Sequence, residues 1–279
     1  MEEKLQKLKE ILGEITDLNA AAALLGWDQQ TYMPPGGAEG RGYQLSTLAR
    51  LVHERATSEE TGRLLEDLAA QADQLDPASD DACLIRFAYH EYQKQTRVPA
   101  KLVSEYAQVT AVAHEAWAKA RAAADFKIFQ PHLERIVDLR RQYADCFAPY
   151  EHVYDPLLDD FERGMKTAEV RAIFNELRPQ QVALIRAIGE RSQVEDGFLF
   201  LEYPEQAQWD FGVDVITRFG YDWNRGRQDK SLHPFTTGFG IDDVRITTRF
   251  DPKRSFAALF GTMHEAGHAM YEQGISRSL

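Results

Sequence analysis

Leu5, Leu8, Ile11, Leu12, Ile15 and Leu18 recur at three- and four-residue intervals through a charged background. That period buries one face of a helix and leaves the other wet. The pattern runs on through LNAAAALLGWDQQ and stops at Pro34-Pro35-Gly36-Gly37, a strong breaker. A second helix is predicted over about 39 to 73, with Leu45, Leu48, Leu51, Leu64, Leu65 and Leu68 on its buried side. The PASD segment at 77 to 80 turns the chain and caps a helix through about Lys94. Pro99 suits the first turn of an alanine-rich helix that ends before Asp125. Helical periodicity returns near 130 to 146 and 168 to 191, on either side of a connection containing Pro and Asp. Several long antiparallel helices are expected.

The texture changes after about 197. PEQAQWDFGVDVITRFG reads as one more helix beginning at Pro204, and WNRGRQDKSLHPFTTGFGIDD as a polar, glycine-rich, site-forming loop. VRITTRF, residues 244 to 250, has β-branched content but imperfect alternation, which predicts a short edge strand. A final helix is expected to start with Asp251 as N-cap and Pro252 in the first helical position, and to end at Gly274. Phe256, Leu259, Phe260 and Met263 are expected to pack inward. Gly261 and Gly267 cost helix propensity and point to close approach of another element. No internal repeat, low-complexity tract or interdomain linker interrupts the 279 residues.

Composition narrows the function. With 44% hydrophobic and 27% charged residues the chain is an ordinary soluble protein, and a formal charge of -12 argues against a broad nucleic-acid surface. Cys83 and Cys146 fit neither a CxxC site nor a disulfide scaffold and read as buried thiols. The amphipathic start MEEKLQKLKEILGEI is not signal-like, and no window approaches the roughly 20 apolar residues of a membrane span. A cytoplasmic location is the simple expectation.

The strongest chemistry lies in FAALFGTMHEAGHAMYEQG. His264 and His268 are one helical turn apart, so their rings leave the same side about 6 Å apart at Cβ. Two neutral imidazoles so placed can hold one Zn²⁺ with open coordination positions, and Glu265 beside them can accept the proton of a zinc-activated water. The bland alternative is two histidines that happen to flank a glutamate. Glu272 follows on roughly the same face, but the eight residues from His264 span about 12 Å, too far to share an ion at about 2 Å. Asp243 and Glu265 are unconvincing substitutes. The third protein ligand is expected from another element.

His233-Pro234-Phe235, Asp243-Val244-Arg245-Ile246-Thr247, His264-Glu265-Ala266-Gly267-His268 with AMYEQG, and WDQQTYMPPGG at 27 to 37 occur here in order. Together they resemble the M32 family of zinc carboxypeptidases, the thermostable carboxypeptidase 1 type, across the whole chain. The resemblance implies a mainly α fold of long helices around a peptidase cleft, with a short β element before the HExxH helix. It implies release of single residues from the carboxyl ends of peptides, Zn²⁺ (Co²⁺ an alternative) as cofactor, and homodimers. His264 and His268 match the family's metal ligands and Glu265 its catalytic carboxylate. The family's third ligand is a glutamate in an HESQ signature a little over two dozen residues further on. Later arginine and Gln-Asp-x-His-Trp signatures also help build its substrate site.

The expected organisation is therefore a single, truncated M32-like catalytic region over 1–279: a helical portion to about 196, a site-bearing portion over about 197–279, and the third ligand beyond Leu279. Such a chain is expected to be weakly active or inactive. His233 suits a hydrogen bond to substrate or to a transition-state oxygen. Asp243, Arg245 and Thr247 alternate along the expected strand and point to one side. Arg245 suits a peptide carboxylate or, equally, an internal pair with Asp243 that shapes the cleft. In the resembling family the DxRxT segment limits or shapes the cleft. Trp27 and Asp28 are explained by a packed ring and a capping carboxylate. His53, His90, His114, His132 and His152 lack ligand spacing. Two rival functions remain, another HExxH endopeptidase or aminopeptidase, and an inactive helical assembly or binding domain that retains an incomplete zinc site. Expected partners are peptides and a second copy of the chain, with neither nucleic acid nor membrane.

Overall fold

The computed structural model describes residues 1–277, without the side chains of Asp73 and Ser255. It is mainly helical, with a small three-stranded sheet beside the C-terminal helix. The helices up to the sheet are α1 (Glu2–Thr31), α2 (Ala38–Ala56), α3 (Glu59–Ala69), α4 (Asp80–Gln95), α5 (Ala100–Ala123), α6 (Gln130–Asp145), α7 (Asp155–Leu158), α8 (Thr167–Gly189) and α9 (Glu205–Phe219). The strands β1 (Gln228–Lys230), β2 (Thr236–Gly238) and β3 (Val244–Thr248) follow, then α10 (Ser255–Gln273).

Thirty residues make α1 roughly 45 Å long, enough to join two distant parts of the molecule. Its first half buries Leu5 and Leu8 in a core with Leu65 and Leu68 of α3 and Ile85 and Ala88 of α4. Its last turns reach the sheet. There Trp27 is buried, and Gln29 donates to the Ala111 carbonyl of α5 at 2.7 Å. Gly42 lets α2 cross α5 closely, because a Cβ there would already touch Gln108 and Val112 at 3.4–3.5 Å.

Several expectations needed correction. The helix expected over 39 to 73 is two helices, because Ser58 accepts the Thr61 amide and starts a new one after a break at Thr57. Leu51 is exposed. Pro99 is the N-cap of α5 rather than a residue of its first turn. Cys83 is exposed and Cys146 half-buried, so neither is a buried thiol. The glycine-rich stretch after Trp223 contains β1 and β2.

The segment expected at a sheet edge is the central strand. The order is β1-β3-β2, with β1 parallel and β2 antiparallel to β3. Ile246 sits opposite Gln228 on one side and Thr236 on the other. A strand paired on both sides and covered on both faces has no reason to alternate cleanly. Val244 and Ile246 pack on Ile216 and Tyr221 and on Ala266 and Ala269 of α10. Arg245 and Thr247 occupy the opposite face.

The last helix also begins later than expected. Asp251 accepts the Lys253 amide in a turn, and the helix opens at Ser255 with Arg254 in the N-cap position. Small residues, not Phe260, form its buried face: Ala258, Thr262, Ala266 and Ala269 are at most 2% exposed, whereas Phe260 is 63% exposed. Small side chains let the helix lie close on the sheet, where Thr262 donates to Thr248 at 2.9 Å. Gly261 does face a close neighbour, Pro234, but nothing approaches Gly267 within 4 Å of a Cβ position. Gly274 ends the helix in a right-handed rather than left-handed conformation.

Candidate metal centre and its supports

α10 places His264 and His268 on its exposed side and Glu265 toward β2. The two Nε2 atoms converge to 3.2 Å, with rings nearly perpendicular at 84°. Two nitrogens on one tetrahedral zinc at ~2.0–2.1 Å lie ~3.3–3.4 Å apart, so the pair fits two corners of such an ion. The same separation suits an N–H···N hydrogen bond in the metal-free chain. Among the described residues no group of three or more His, Cys, Asp or Glu gathers around a metal position. The third ligand expected beyond Leu279 lies outside the described residues.

Glu265 is the buried member, only 7% exposed. The Thr236 hydroxyl of β2 lies 2.7 Å from Glu265 Oε2 and 2.9 Å from the Glu265 carbonyl oxygen. At the end of the helix Gln273 accepts the Asp222 amide and donates to the Asp222 and Arg225 carbonyls, while Arg225 donates to the Gln273 carbonyl. These contacts fix the orientation of α10 against the sheet. Neither Thr236 nor Gln273 was singled out from sequence, where each reads as an ordinary polar residue of a loop or helix end.

The upstream motifs brace this region from the other face of the sheet. Arg245 makes a bidentate pair with Asp243 at 2.7 and 2.8 Å. Its guanidinium stacks 4.5 Å from the Trp27 ring and 4.9 Å from that of Phe239. Arg227 covers the Trp27 ring as well, at 5.3 Å, and makes two 2.6 Å hydrogen bonds to the buried Asp229. Tyr32 also donates to Asp229, and that bond holds its phenol above the ordinary pKa. Trp27 is thus packed as expected, but Asp28 pairs with Arg41 at 2.7 Å instead of capping the helix. Thr247 is fully buried and accepts the Phe235 amide at 2.9 Å, which pins the His233-Pro234-Phe235 segment to β3. The His233 ring is exposed. No hydrogen bond of Asp243, Arg245 or Thr247 reaches the histidine pair among the described residues. The other histidines stay apart; burial lowers the pKa of His53 and of His114.

Lysine cannot reproduce both the two-pronged pair and the flat stack that Arg245 makes. Arg245→Lys is therefore expected to lower stability by about 1–2 kcal/mol, read as a fall in the urea midpoint with an unchanged m-value. An unchanged midpoint would show that the pair and stack contribute nothing net.

Comparison with known proteins bears on this arrangement. The family model of the carboxypeptidase Taq (M32) metallopeptidases matches residues 7–279. The thermostable carboxypeptidase 1 of Thermus thermophilus is 37% identical over 282 residues, covering 98% of this chain and 55% of that protein. Carboxypeptidase 1 of Bacillus subtilis is 32% identical over 271 residues, covering 97% and 54%. The crystal structure described as BsuCP superposes with a TM-score of 0.94 at 31% identity, over 99% of this chain and 56% of that one. The chain belongs to the M32 carboxypeptidase family. It spans about half the length of the curated relatives it matches.

Proposed function

We propose that the chain is the helix- and HExxH-bearing part of a zinc metallocarboxypeptidase that releases carboxyl-terminal residues from peptides. The observation that carries this reading is the 3.2 Å convergence of His264 and His268 beside the buried Glu265 carboxylate, within an M32 chain. His264 and His268 would hold Zn²⁺, with Co²⁺ as an alternative. The bound ion would polarise the scissile carbonyl and acidify a water. Glu265 would accept that water's proton and return it to the leaving amine. The exposed His233 would hydrogen-bond substrate, and Asp243, Arg245 and Thr247 would shape the cleft by fixing β3 and the loop before β2. In this reading the long helices would form the walls of a peptidase cleft, with a helical portion to about 196 and a site-bearing portion over about 197–279 of one catalytic region.

Two histidines supply only part of a catalytic zinc site, so turnover by this chain is expected to be weak or absent beside that of a relative carrying the remaining length. Among the described residues no helix is long and apolar enough to cross a membrane. The charge of -12 argues against a broad nucleic-acid surface, and a cytoplasmic location remains part of the proposal. Self-association is supported by α8, none of whose residues is buried; it exposes Ile173, Phe174, Leu177, Leu184, Ile185 and Ile188 along one stripe. The same stripe favours the second reading, a helical assembly domain with an incomplete metal site, which predicts stable oligomers and no turnover even in excess Zn²⁺.

The discriminating experiment compares a peptide with a free carboxyl terminus and its amidated twin, each with and without added Zn²⁺. Carboxypeptidase action requires cleavage of the free peptide alone. Where the chain's turnover is measurable, Glu265→Gln is expected to lower it by ~10²–10⁴-fold while metal content stays the same. Cleavage of both peptides would replace this reading with an endopeptidase. No cleavage and no zinc binding, together with stable oligomers, would favour the assembly domain.

A further inference from the structure

Glu265 is almost fully buried, and a carboxylate there needs hydrogen-bond donors to stay in one orientation. The donor that the fold supplies is the Thr236 hydroxyl, 2.7 Å from Oε2. That hydroxyl has one proton and two acceptors in reach, the second being the Glu265 carbonyl at 2.9 Å. The carbonyl lies inside α10, where the amide four residues on already serves it. The carboxylate is also the shorter and charge-assisted contact, so the proton belongs there. Thr236 itself has little freedom. It stands opposite Ile246 in the β2–β3 register, and Ile246 is fully buried against Ala266 and Ala269.

We propose that Thr236 is the positioning residue of Glu265, holding Oε2 and thereby presenting the other carboxylate oxygen toward the open side where the histidines converge. This rests on the reading of Glu265 as the proton-accepting carboxylate. It assigns a specific task to β2, which the sequence presents only as the threonine pair after His233-Pro234-Phe235. A carboxylate free to rotate would spend part of its time turned from the reacting proton, and misplacement by about 1 Å costs up to ~10²-fold in rate.

The test uses the full 279-residue chain, metal-free and with added Zn²⁺, as wild type, Thr236→Val and Thr236→Ser. Valine keeps the shape and removes the proton, whereas serine keeps the proton. Crystal structures of the metal-free proteins are expected to show one Glu265 rotamer in wild type and Thr236→Ser, and a turned or divided carboxylate in Thr236→Val. A carboxylate that keeps its single orientation in Thr236→Val overturns the proposal. Zinc affinity is expected to be the same for all three, since Thr236 touches neither histidine; a loss in Thr236→Val alone would assign the hydroxyl to the metal pair instead. Where turnover is measurable, kcat is expected to fall ~10-fold or more in Thr236→Val at constant KM, with recovery in Thr236→Ser. A chain that neither binds zinc nor turns over peptide would defeat the peptidase reading, while the crystal structures would still decide the task of Thr236.

Discussion

His268→Ala is expected to lower the affinity of the chain for Zn²⁺ by at least ~100-fold, measured by competition with a chromophoric chelator at neutral pH. Residues that only support a metal ligand already cost 10–100-fold when removed, and in the proposed site His268 would be one of two direct nitrogen donors. Its Nε2 is the partner that brings the pair to 3.2 Å, and a single remaining imidazole on an exposed helix face is no better than any surface histidine. His264→Ala is expected to behave the same way. Glu272→Gln is expected to leave the affinity unchanged, because eight residues of helix, about 12 Å, separate it from His264. Equal affinity in wild type and His268→Ala would place the metal elsewhere and remove the basis of the proposed reaction.

The second large effect is on stability. Gly226 sits between β1 and the end of α9, where a Cβ would lie 2.1 Å from the Tyr221 hydroxyl and 2.6 Å from the Val244 carbonyl oxygen. Neither neighbour can give way cheaply. Tyr221 is 3% exposed and donates to that same carbonyl at 2.8 Å, and Val244 belongs to the central strand. Burial pushes the Tyr221 phenol above its ordinary pKa, so it stays the donor through the physiological range. Gly226→Ala must move the ring or the strand, and a cost of about 3 kcal/mol or more is expected by urea denaturation. Gly13→Ala is the contrast: nothing lies within 4 Å of its Cβ position on α1, so stabilisation of about 0.5–1 kcal/mol is expected. If Gly226→Ala were tolerated like Gly13→Ala, the close packing of Tyr221 against β3 would not be a source of stability.

Local signals served well where the physics is local. The 3.6-residue period placed most of the helices, and Ser79 before the α4 helix does accept the Ala82 amide. They served poorly where a residue's role depends on a distant partner. The break at Ser58 is made by one hydroxyl on one amide, too small a signal against the leucine pattern on both sides. Asp251 and Pro252 look like a helix start, yet the chain makes a turn there and begins α10 three residues later at Ser255.

The candidate site divides in the same way. His264 and His268 on one helix face, with Glu265 beside them, follow from helix geometry alone, so their spacing could be read directly from the sequence. The family signatures could be read too, and membership follows from them along with the comparisons. Which partners these residues have is a different matter. Thr236 meets Glu265 from 29 positions away, and Arg245 stacks on Trp27 from more than two hundred positions away. Those contacts exist because β3 pairs on both edges, with α10 on one face and the end of α1 on the other. The sequence by itself determined most of the helices, the placement of His264 and His268 one turn apart, and the family. Only the tertiary structure decided which hydroxyl holds the carboxylate and what braces the sheet, because helix periodicity acts over a few residues whereas strand pairing and side-chain packing join segments that the chain keeps far apart.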